Sequence, residues 1–440
     1  MDSASTGGVM SSTVLGPIGT SRLPLLFALA SACAWAACTP RQPPASLNSL
    51  AEAYVRITLQ LAQHRPRLVD AWTGPSTWRP GPRVPVATLR TDLDALIRRA
   101  GNVKRSDMDP TEEPRLAYLR GQLRALSLIA RRLAGDSPRF AEEVQLSLGR
   151  AIPSEDTAQL SQARASLDTE IEGAGPLDER YLSFRHRFVL PEDRVERALS
   201  AAIEACRAAT TPHVTLPGDQ RVVVEFDPSI EWDAYAQYAG NHQTRLKLAS
   251  RKDHDVASLL HMACHETYAG HHAQHVWIDD ALVRGRGWLE FQLTPAFGPH
   301  LLITEGAAEA GVDLALPEAA RAAVYRDVLL PAAGLPTTSA ERLARVETLA
   351  ARLEIVVPSI VGRYLDNEAT ADTTARALGS QALLVSPERF LQFAERQRVA
   401  AIVDPIGKAV VADWISREST EADRWRRLQD LFTRKPFEVE

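Results

Sequence analysis

Histidine and glutamate are concentrated in one part of this sequence. Five of the 11 histidines lie in the run from His261 to His275, where His265 is directly followed by Glu266, and a second acidic motif begins at Glu305. Imidazole is the commonest protein ligand of metals, and zinc hydrolases place a general-base glutamate beside a ligand histidine. Two histidines, a base and a distant glutamate are enough to build a catalytic zinc site. The sequence therefore predicts a hydrolase with one zinc ion.

The spacing of the histidines does not suit one straight helix. The i+4 position after His265 is Ala269, whereas His271 and His272 follow at i+6 and i+7. On a straight helix His271 turns away from His265, and His272 lies about 10 Å further along the axis. Bonds of ~2.0–2.1 Å to one zinc ion cannot cover that separation. We therefore expect the helix to be distorted, most easily at Gly270, and the spacing leaves both His271 and His272 as candidate ligands.

The second acidic motif supplies carboxylates at i and i+4. Glu305 and Glu309 lie on one helix face if this segment is helical. Glu305 is predicted to be the third protein ligand, which leaves the fourth zinc position open for water. Glu309, one turn further, is predicted to hold a ligand imidazole in the required tautomer, and Asp313, after another turn, can do the same.

These residues resemble a known family. Residues 265–272, His-Glu-Thr-Tyr-Ala-Gly-His-His, resemble the His-Glu-x-x-Pro-Gly-His-His motif of the domain of unknown function 885 family, and residues 305–309, Glu-Gly-Ala-Ala-Glu, are similar to that family's Glu-Gly-Trp-Ala-Glu. Ala269 stands in place of the proline and Ala307 in place of the tryptophan. The resemblance extends over most of the chain after residue 45. It implies a largely helical zinc peptidase, often a bacterial lipoprotein.

The pair of motifs also resembles dipeptidyl peptidase III, in which a His-Glu-x-x-Gly-His helix pairs with a Glu-x-x-x-Glu helix. This likeness implies that His265, His271 and Glu305 bind the metal and that Glu266 is the base. The segment that contains Tyr364 again resembles the first family. A tyrosine near the metal can stabilise the oxyanion of a tetrahedral intermediate, so Tyr364 is a further catalytic candidate.

Two alternatives remain open at the level of sequence. A metal can also be held by an i,i+4 pair of histidines, either His261 with His265 or His271 with His275, without any break in the helix. Such a metal site would not place Glu266 as the base. The alternative from a different class is a non-catalytic envelope lipoprotein that keeps the peptidase fold as a binding module. The two departures from the family motif, Ala269 and Ala307, keep that second alternative open.

Composition excludes several other classes of protein. The chain has 440 residues, of which 45% are apolar, and its formal net charge is −5. It can therefore bury a large core, and without a long basic run nothing indicates a nucleic-acid partner. The sequence contains no nucleophile elbow, phosphate loop or dinucleotide fingerprint. The predicted partner is a peptide or small amide substrate, and the sequence leaves the oligomeric state open.

The periodicity predicts a mainly α, multi-helical, metallopeptidase-like fold with a small β element next to the metal-binding helix. Apolar residues recur at three- and four-residue steps from Leu47 onwards, whereas residues 221–226 and 245–248 are strand-like. A glycine- and proline-containing segment, residues 173–176, indicates a boundary. We therefore expect an N-terminal helical part at 47–172 and a catalytic metal-binding part at 173–440.

The N-terminus predicts export. Arg22 precedes an apolar stretch that is too short to span a bilayer but has the length of a signal peptide, which we place at residues 1–38. Small residues precede both Cys33 and Cys38, either of which could carry a lipid and provide the protein's only membrane contact. Residues 39–46 are predicted to be a tether. The expected location is the bacterial periplasm or, as a lipoprotein, the outer membrane.

Two cysteines remain after the leader. Cys206 and Cys264 can form one disulfide, and two cysteines in so long a chain are not a disulfide scaffold. Cys264 directly precedes His265, and we expect it to be a buried packing residue rather than a nucleophile.

Overall fold

The structure is a computed structural model that describes residues 46–104, 106, 108–228, 234–249 and 254–439. The predicted signal peptide, with Cys33 and Cys38, lies outside the described residues, and so does almost all of the predicted tether. All the described residues belong to one compact unit, Pro44–Glu440.

Helices make up most of the described residues, as the apolar periodicity predicts. The first helix begins at Leu47, and Ser46 caps it by accepting a hydrogen bond from the backbone N–H of Ser49. The helices before the three-stranded sheet are α1 (Leu47–Ala62), α2 (Val86–Gly101), α3 (Glu113–Leu133), α4 (Phe140–Leu148), α5 (Thr157–Glu170), α6 (Leu177–His186) and α7 (Val195–Thr210).

Three helices that carry the candidate site follow the three-stranded sheet. They are α8 (Val256–Glu266), α9 (His271–Ile278), which a stretch of π-helix at Asp279–Arg284 extends, and α10 (Gly298–Ala315). The remaining helices are α11 (Glu318–Val324), α12 (Leu330–Ala333), α13 (Ala340–Ala351), α14 (Val357–Leu365), α15 (Ala371–Ala382), α16 (Pro387–Gln397), α17 (Val403–Ser416) and α18 (Glu421–Thr433). Among the described residues, no helix combines the length and the apolar character needed to cross a membrane.

Two small sheets accompany the helices. The strands are β1 (Val69–Trp72), β2 (Arg221–Phe226), β3 (Ala234–Gly240), β4 (Gln243–Leu248) and β5 (Leu293–Pro295). In the first sheet β1 pairs with β5 in antiparallel fashion, and β5 leads towards α10. In the second sheet β4 lies between a parallel neighbour, β2, and an antiparallel neighbour, β3. Asn241 and His242 form the turn between β3 and β4, both with positive φ, which matches the twist of a tight hairpin.

The predicted fold class, mainly α with a small β element beside the metal-binding helix, is confirmed. The strand predicted at 221–226 matches β2, and the one predicted at 245–248 lies within β4. Strands β1, β3 and β5 were not predicted, because β1 and β5 are very short and β3 contains three alanines, which have low strand propensity.

A single cluster of buried apolar side chains runs through the described residues. It includes Leu119 on α3 and Leu302 on α10, so it extends to both sides of residue 173. The division into parts at 47–172 and 173–440 stays a prediction.

A buried ion pair fixes α3 against the segment that precedes β5. Arg115 donates to both carboxylate oxygens of Glu290, at 2.5 and 3.0 Å, and their side chains are 2% and 0% exposed. Arg115 also donates to Asn48 at 2.8 Å, and its guanidinium lies 5.0 Å from the centre of the Trp288 ring. Arg115 therefore joins α1 and α3 to the segment that leads through β5 towards α10.

Breaking this pair should be costly. In Glu290→Gln the buried guanidinium loses its bidentate, fully buried partner and keeps only the more exposed Glu112 at 3.3 Å, so we expect the free energy of unfolding to fall by about 3 kcal/mol. Urea denaturation followed by circular dichroism measures the loss. The control is Glu52→Gln, because the Glu52–Arg56 pair is solvent-exposed and worth ~0–1 kcal/mol. Equal losses in the two variants would show that burial gives the Arg115–Glu290 pair no special role.

A disulfide attaches α7 to α8. Cys206 and Cys264 are bonded, with their Cα atoms 5.2 Å apart, and both residues are fully buried. The one disulfide that the sequence allows is therefore present. Cys264 is buried, as expected, but it is bonded to Cys206 rather than merely packed, and it fixes the turn of α8 that carries His265.

Candidate metal centre

The chain breaks between the two halves of the histidine motif. α8 ends at Glu266 and α9 begins at His271, and the backbone of Thr267 and Gly270 leaves the helical region. A Cβ atom at Gly270 would lie 1.7 Å from the carbonyl oxygen of His265, so only glycine fits there. The predicted distortion at Gly270 is confirmed, and it turns the start of α9 back towards His265.

Three side chains converge as a consequence of this break. The Nε2 atoms of His265 and His271 lie 3.1 and 3.2 Å from the same oxygen, Oε2 of Glu305. One ligand atom from each of the three residues lies within 4.8 Å of the others. Ligand atoms around a tetrahedral zinc ion with ~2.0–2.1 Å bonds are roughly 3.3 Å apart. The spacing and the chemistry of these donors therefore fit a zinc ion.

Hydrogen bonds on the far side of each imidazole orient it. His265 Nδ1 lies 3.0 Å from Glu309 Oε1, which is the arrangement predicted for Glu309. His271 Nδ1 lies 3.2 Å from Oε1 of Gln274, whose Nε2 donates to the carbonyl oxygen of Thr304 at 3.0 Å. Both Nδ1 atoms therefore have an acceptor, and once a metal ion displaces the Nε2 protons each Nε2 can act as a ligand beside Glu305.

The same contacts change the proton affinity of the cluster. Burial lowers the pKa of His265, but hydrogen bonds to Glu305 and Glu309 outweigh it and raise that pKa well above its usual value. Burial raises the pKa of Glu305, but the charge of His271 and hydrogen bonds from both histidines outweigh it, so that pKa is lowered. Without a metal, the group is held together by protons that a metal ion must displace.

A second set of three donors overlaps the first. His261, His265 and Glu309 also lie within 4.8 Å of one another, with His261 Nε2 2.9 Å from Glu309 Oε1. Both sets use His265, and Lys408 Nζ lies 3.5 Å from Glu309 Oε2. The two sets are therefore alternatives, and the second already contains a cation.

Glu266 lines a large cavity together with the two donor sets, and the three-stranded sheet holds its side chain. Its Oε2 accepts a hydrogen bond from the backbone N–H of Ala236 on β3, at 2.8 Å. The cavity measures about 1540 Å³ and is lined by residues of both donor sets together with Glu266, Tyr235 and Ala236. It is therefore large enough to hold a peptide beside the donor set.

The metal-binding helix itself is anchored at its start. Asp255 caps α8 by accepting from the backbone N–H groups of Ala257 and Ser258. Its second carboxylate oxygen accepts from Arg185 at 2.6 Å, and Arg185 also contacts Glu347 at 3.0 Å. Asp255 and its charged partners therefore fix the end of α8 opposite to His265.

Three residues predicted for the site lie away from the donor set. Both ring nitrogens of His272 are hydrogen-bonded, to Thr244 Oγ1 at 2.9 Å and to Gln220 Oε1 at 2.7 Å, and burial lowers its pKa to about 4. Asp313 forms salt bridges with Lys408 and Arg321, at 3.0 and 3.2 Å, rather than bonding a ligand imidazole.

Tyr364 is the third of these residues. It lies on α14, where its hydroxyl donates to Glu395, and it does not line the cavity. The family likeness indicated Tyr364 from sequence, but neither periodicity nor spacing could place α14 relative to α10.

Other residues near the donor set were not predicted from sequence. Gln274 could have been recognised because it follows His271 by three residues on a helix. Asp70 and Tyr235 come from β1 and β3, and no local pattern connects them with the motifs. Burial and the charge of Glu305 raise the pKa of Asp70 to about 7.

Comparisons with known proteins assign no family to this chain. No family model matches it, and no curated protein matches it. Among solved structures it is similar to a protein of Colwellia psychrerythraea that is described provisionally as a lipoprotein. The TM-score is 0.48 and the sequence identity 13%, and the match covers 81% of this chain and 70% of the other. The resemblance of the two motifs to the domain of unknown function 885 family stays a prediction.

Proposed function

We propose that this protein is a zinc-dependent hydrolase that cleaves amide bonds in peptides or amino-acid derivatives. One observation carries the proposal: two imidazole Nε2 atoms lie 3.1 and 3.2 Å from a single oxygen of Glu305, next to a further glutamate, Glu266, in a large cavity. Imidazole and carboxylate ligands together favour zinc among the common metals.

The set His265, His271 and Glu305 is the better of the two candidate sites. Lys408 is a cation beside Glu309, and its charge opposes a metal ion there. Glu309 instead accepts from His265 Nδ1, a hydrogen bond that supports a histidine whose Nε2 binds metal. Three protein ligands leave one tetrahedral position open, as catalytic zinc sites do.

Glu266 is assigned the role of general base. When bound, zinc polarises the scissile carbonyl and makes a water molecule more acidic. Glu266 then accepts the proton of the attacking water and transfers it to the leaving amine. Glu266 directly follows His265 and lines the same cavity, and the hydrogen bond from Ala236 N–H fixes its carboxylate there.

The sheet supports a peptide as substrate. Within the described residues β3 pairs with β4 on one side only, and on its other edge, which no strand covers, the N–H of Ala236 holds Glu266. An extended peptide can add to such an edge through main-chain hydrogen bonds and so present its amide bonds to the base.

Export agrees with the chemistry of the cysteines. The signal peptide predicted at residues 1–38 would deliver the protein to the periplasm or, as a lipoprotein, to the outer membrane. The Cys206–Cys264 disulfide suits such a compartment, because disulfides persist where the surroundings are oxidising.

Zinc content tests the ligand set. We expect about one zinc ion per chain in the wild type and none in Glu305→Ala, because catalytic zinc sites have three protein ligands and this variant retains only two. Elemental mass spectrometry on protein purified without chelator measures this. In Glu309→Gln the ion should remain but bind roughly 10–100-fold more weakly, since a group that orients a ligand is lost.

The matched control is Glu142→Ala, which removes an exposed helical glutamate and should keep its zinc. Zinc retained by Glu305→Ala but lost from His261→Ala would place the ion in the other donor set. Bound zinc with no cleavage of any peptide in a library would favour the alternative of a non-catalytic binding module.

A further inference from the structure

Asp70 occupies a defined position in the cavity. It lies on β1, which pairs with β5, the strand that leads towards the helix of Glu305. The hydroxyl of Tyr235, on β3, donates to the carbonyl oxygen of Asp70 at 2.8 Å. Asp70 is therefore fixed between the strand that leads towards a proposed zinc ligand and the strand that holds Glu266.

Asp70 is a half-buried residue in the wall of the cavity. Among the described residues it forms neither a salt bridge nor a side-chain hydrogen bond, although it lines the cavity. The charged groups that act on it most strongly are Glu305, His271, Arg67 and Glu266. It does not belong to either set of three metal donors. A half-buried carboxylate without such a partner, on the wall of the cavity that the donor set also lines, can take a positively charged ligand.

The balance of charge agrees with this reading. Two positive charges on zinc are matched by Glu305 and Glu266, because neutral imidazoles add none. Zinc then offers Asp70 no excess positive charge, and the exposed Arg67 is the one cation outside the donor set among the groups that act on Asp70 most strongly. Buried or half-buried charges are normally compensated by a partner of opposite sign.

We propose that Asp70 binds an ammonium group of the substrate next to the scissile amide. The inference rests on the proposed function of the zinc site and narrows its substrate class. Two sources supply this chemistry: the free amino terminus of a peptide and the side chain of a lysine. Binding of the amino terminus would make the protein selective for bonds near the start of a peptide.

The test compares three tetrapeptide amides. They are Ala-Phe-Ala-Phe with a free amino terminus, the same peptide acetylated, and acetylated Lys-Phe-Ala-Phe. Calorimetry measures their affinity for zinc-loaded Glu266→Gln, which cannot turn them over, with and without Asp70→Asn. We expect Asp70→Asn to weaken binding of the free-amine peptide about 10–100-fold, which is the range of a charge-assisted hydrogen bond. The affinity for the acetylated alanine peptide should stay almost unchanged.

The lysine peptide identifies the source of the ammonium group. If Asp70→Asn weakens binding of the lysine peptide as strongly as binding of the free-amine peptide, Asp70 accepts either ammonium group. If binding of the lysine peptide is unchanged, Asp70 selects the amino terminus. Asp70→Glu keeps the charge and should keep the preference for ammonium. Asp92→Asn, at an exposed position on α2, controls for an unspecific loss of charge.

Several results would overturn the proposal. These are equal weakening of the free and acetylated peptides, loss of zinc from Asp70→Asn, and failure of all three peptides to bind. Binding with a preference for ammonium but without hydrolysis by the wild type would refute the proposed hydrolase and leave the role of Asp70 intact. Hydrolysis of the free and the acetylated peptide at equal rates would support the proposed hydrolase and refute the role of Asp70.

Discussion

Glu266→Gln should lower kcat for peptide hydrolysis by about 10³-fold while the zinc ion stays bound. General bases contribute roughly 10²–10⁴-fold, and glutamine cannot accept the proton of water. The fold should survive, because the amide oxygen of glutamine can accept the same hydrogen bond from the N–H of Ala236 that Glu266 Oε2 accepts at 2.8 Å. Initial rates on a cleaved peptide, with zinc determined on the same sample, measure both quantities.

The control for this variant is Glu142→Gln, on the exposed face of α4 and far from the motifs in sequence. It should keep both rate and zinc. Full activity in Glu266→Gln would exclude this residue as the base. Loss of activity together with loss of zinc would instead assign Glu266 to the support of the metal site.

Gly311→Ala should destabilise the protein by about 3 kcal/mol and weaken zinc binding, although Gly311 contacts no ligand side chain. A Cβ atom at Gly311 on α10 would lie 2.0 Å from the carbonyl oxygen of Ala269, in the segment that separates α8 from α9. Overpacking costs ~1–3 kcal/mol, and backbone atoms cannot move aside as a flexible side chain can. Since that segment places His271, its displacement should also increase the Kd for zinc.

Gly101→Ala is the matched control, because a Cβ atom at this helical position would meet nothing within 4 Å. A glycine-to-alanine change at such a site is neutral or stabilises by about 0.4–1 kcal/mol. Thermal unfolding and competition with a zinc-binding dye would measure the two variants side by side. If both glycines tolerate alanine equally, the close approach of α10 to the helix break does not constrain the site.

The motifs made the centre of the site predictable because its chemistry is local in sequence. His265, Glu266 and the helix break at Gly270 follow from the order of residues within one short run. The acidic motif at Glu305 could be paired with it because few residue types bind zinc. The sequence could not decide whether His271 or His272 is the second ligand, because on a straight helix neither is correctly spaced from His265. The choice depends on the backbone angles within the helix break.

What lay beyond prediction depends on contacts between distant segments. Asp70 reaches the cavity only because β1 pairs with β5, more than 200 residues later in the chain, and pairing of such short strands leaves no pattern in the sequence. Tyr364 shows the opposite case, since its motif context suggested the site but α14 holds it elsewhere. The mainly helical class was predictable, because apolar periodicity is a strong and local signal.

The bond between Cys206 and Cys264 gives this molecule a topology that a linear chain lacks. It closes residues 206–264 into a covalent ring, and strands β2, β3 and β4 lie wholly within that ring. A protease that cut one peptide bond inside the ring would leave a single molecule, with the histidine-bearing helix still tethered to α7. Such a nicked form would migrate as one intact chain in electrophoresis until reductant was added, when it would separate into two fragments.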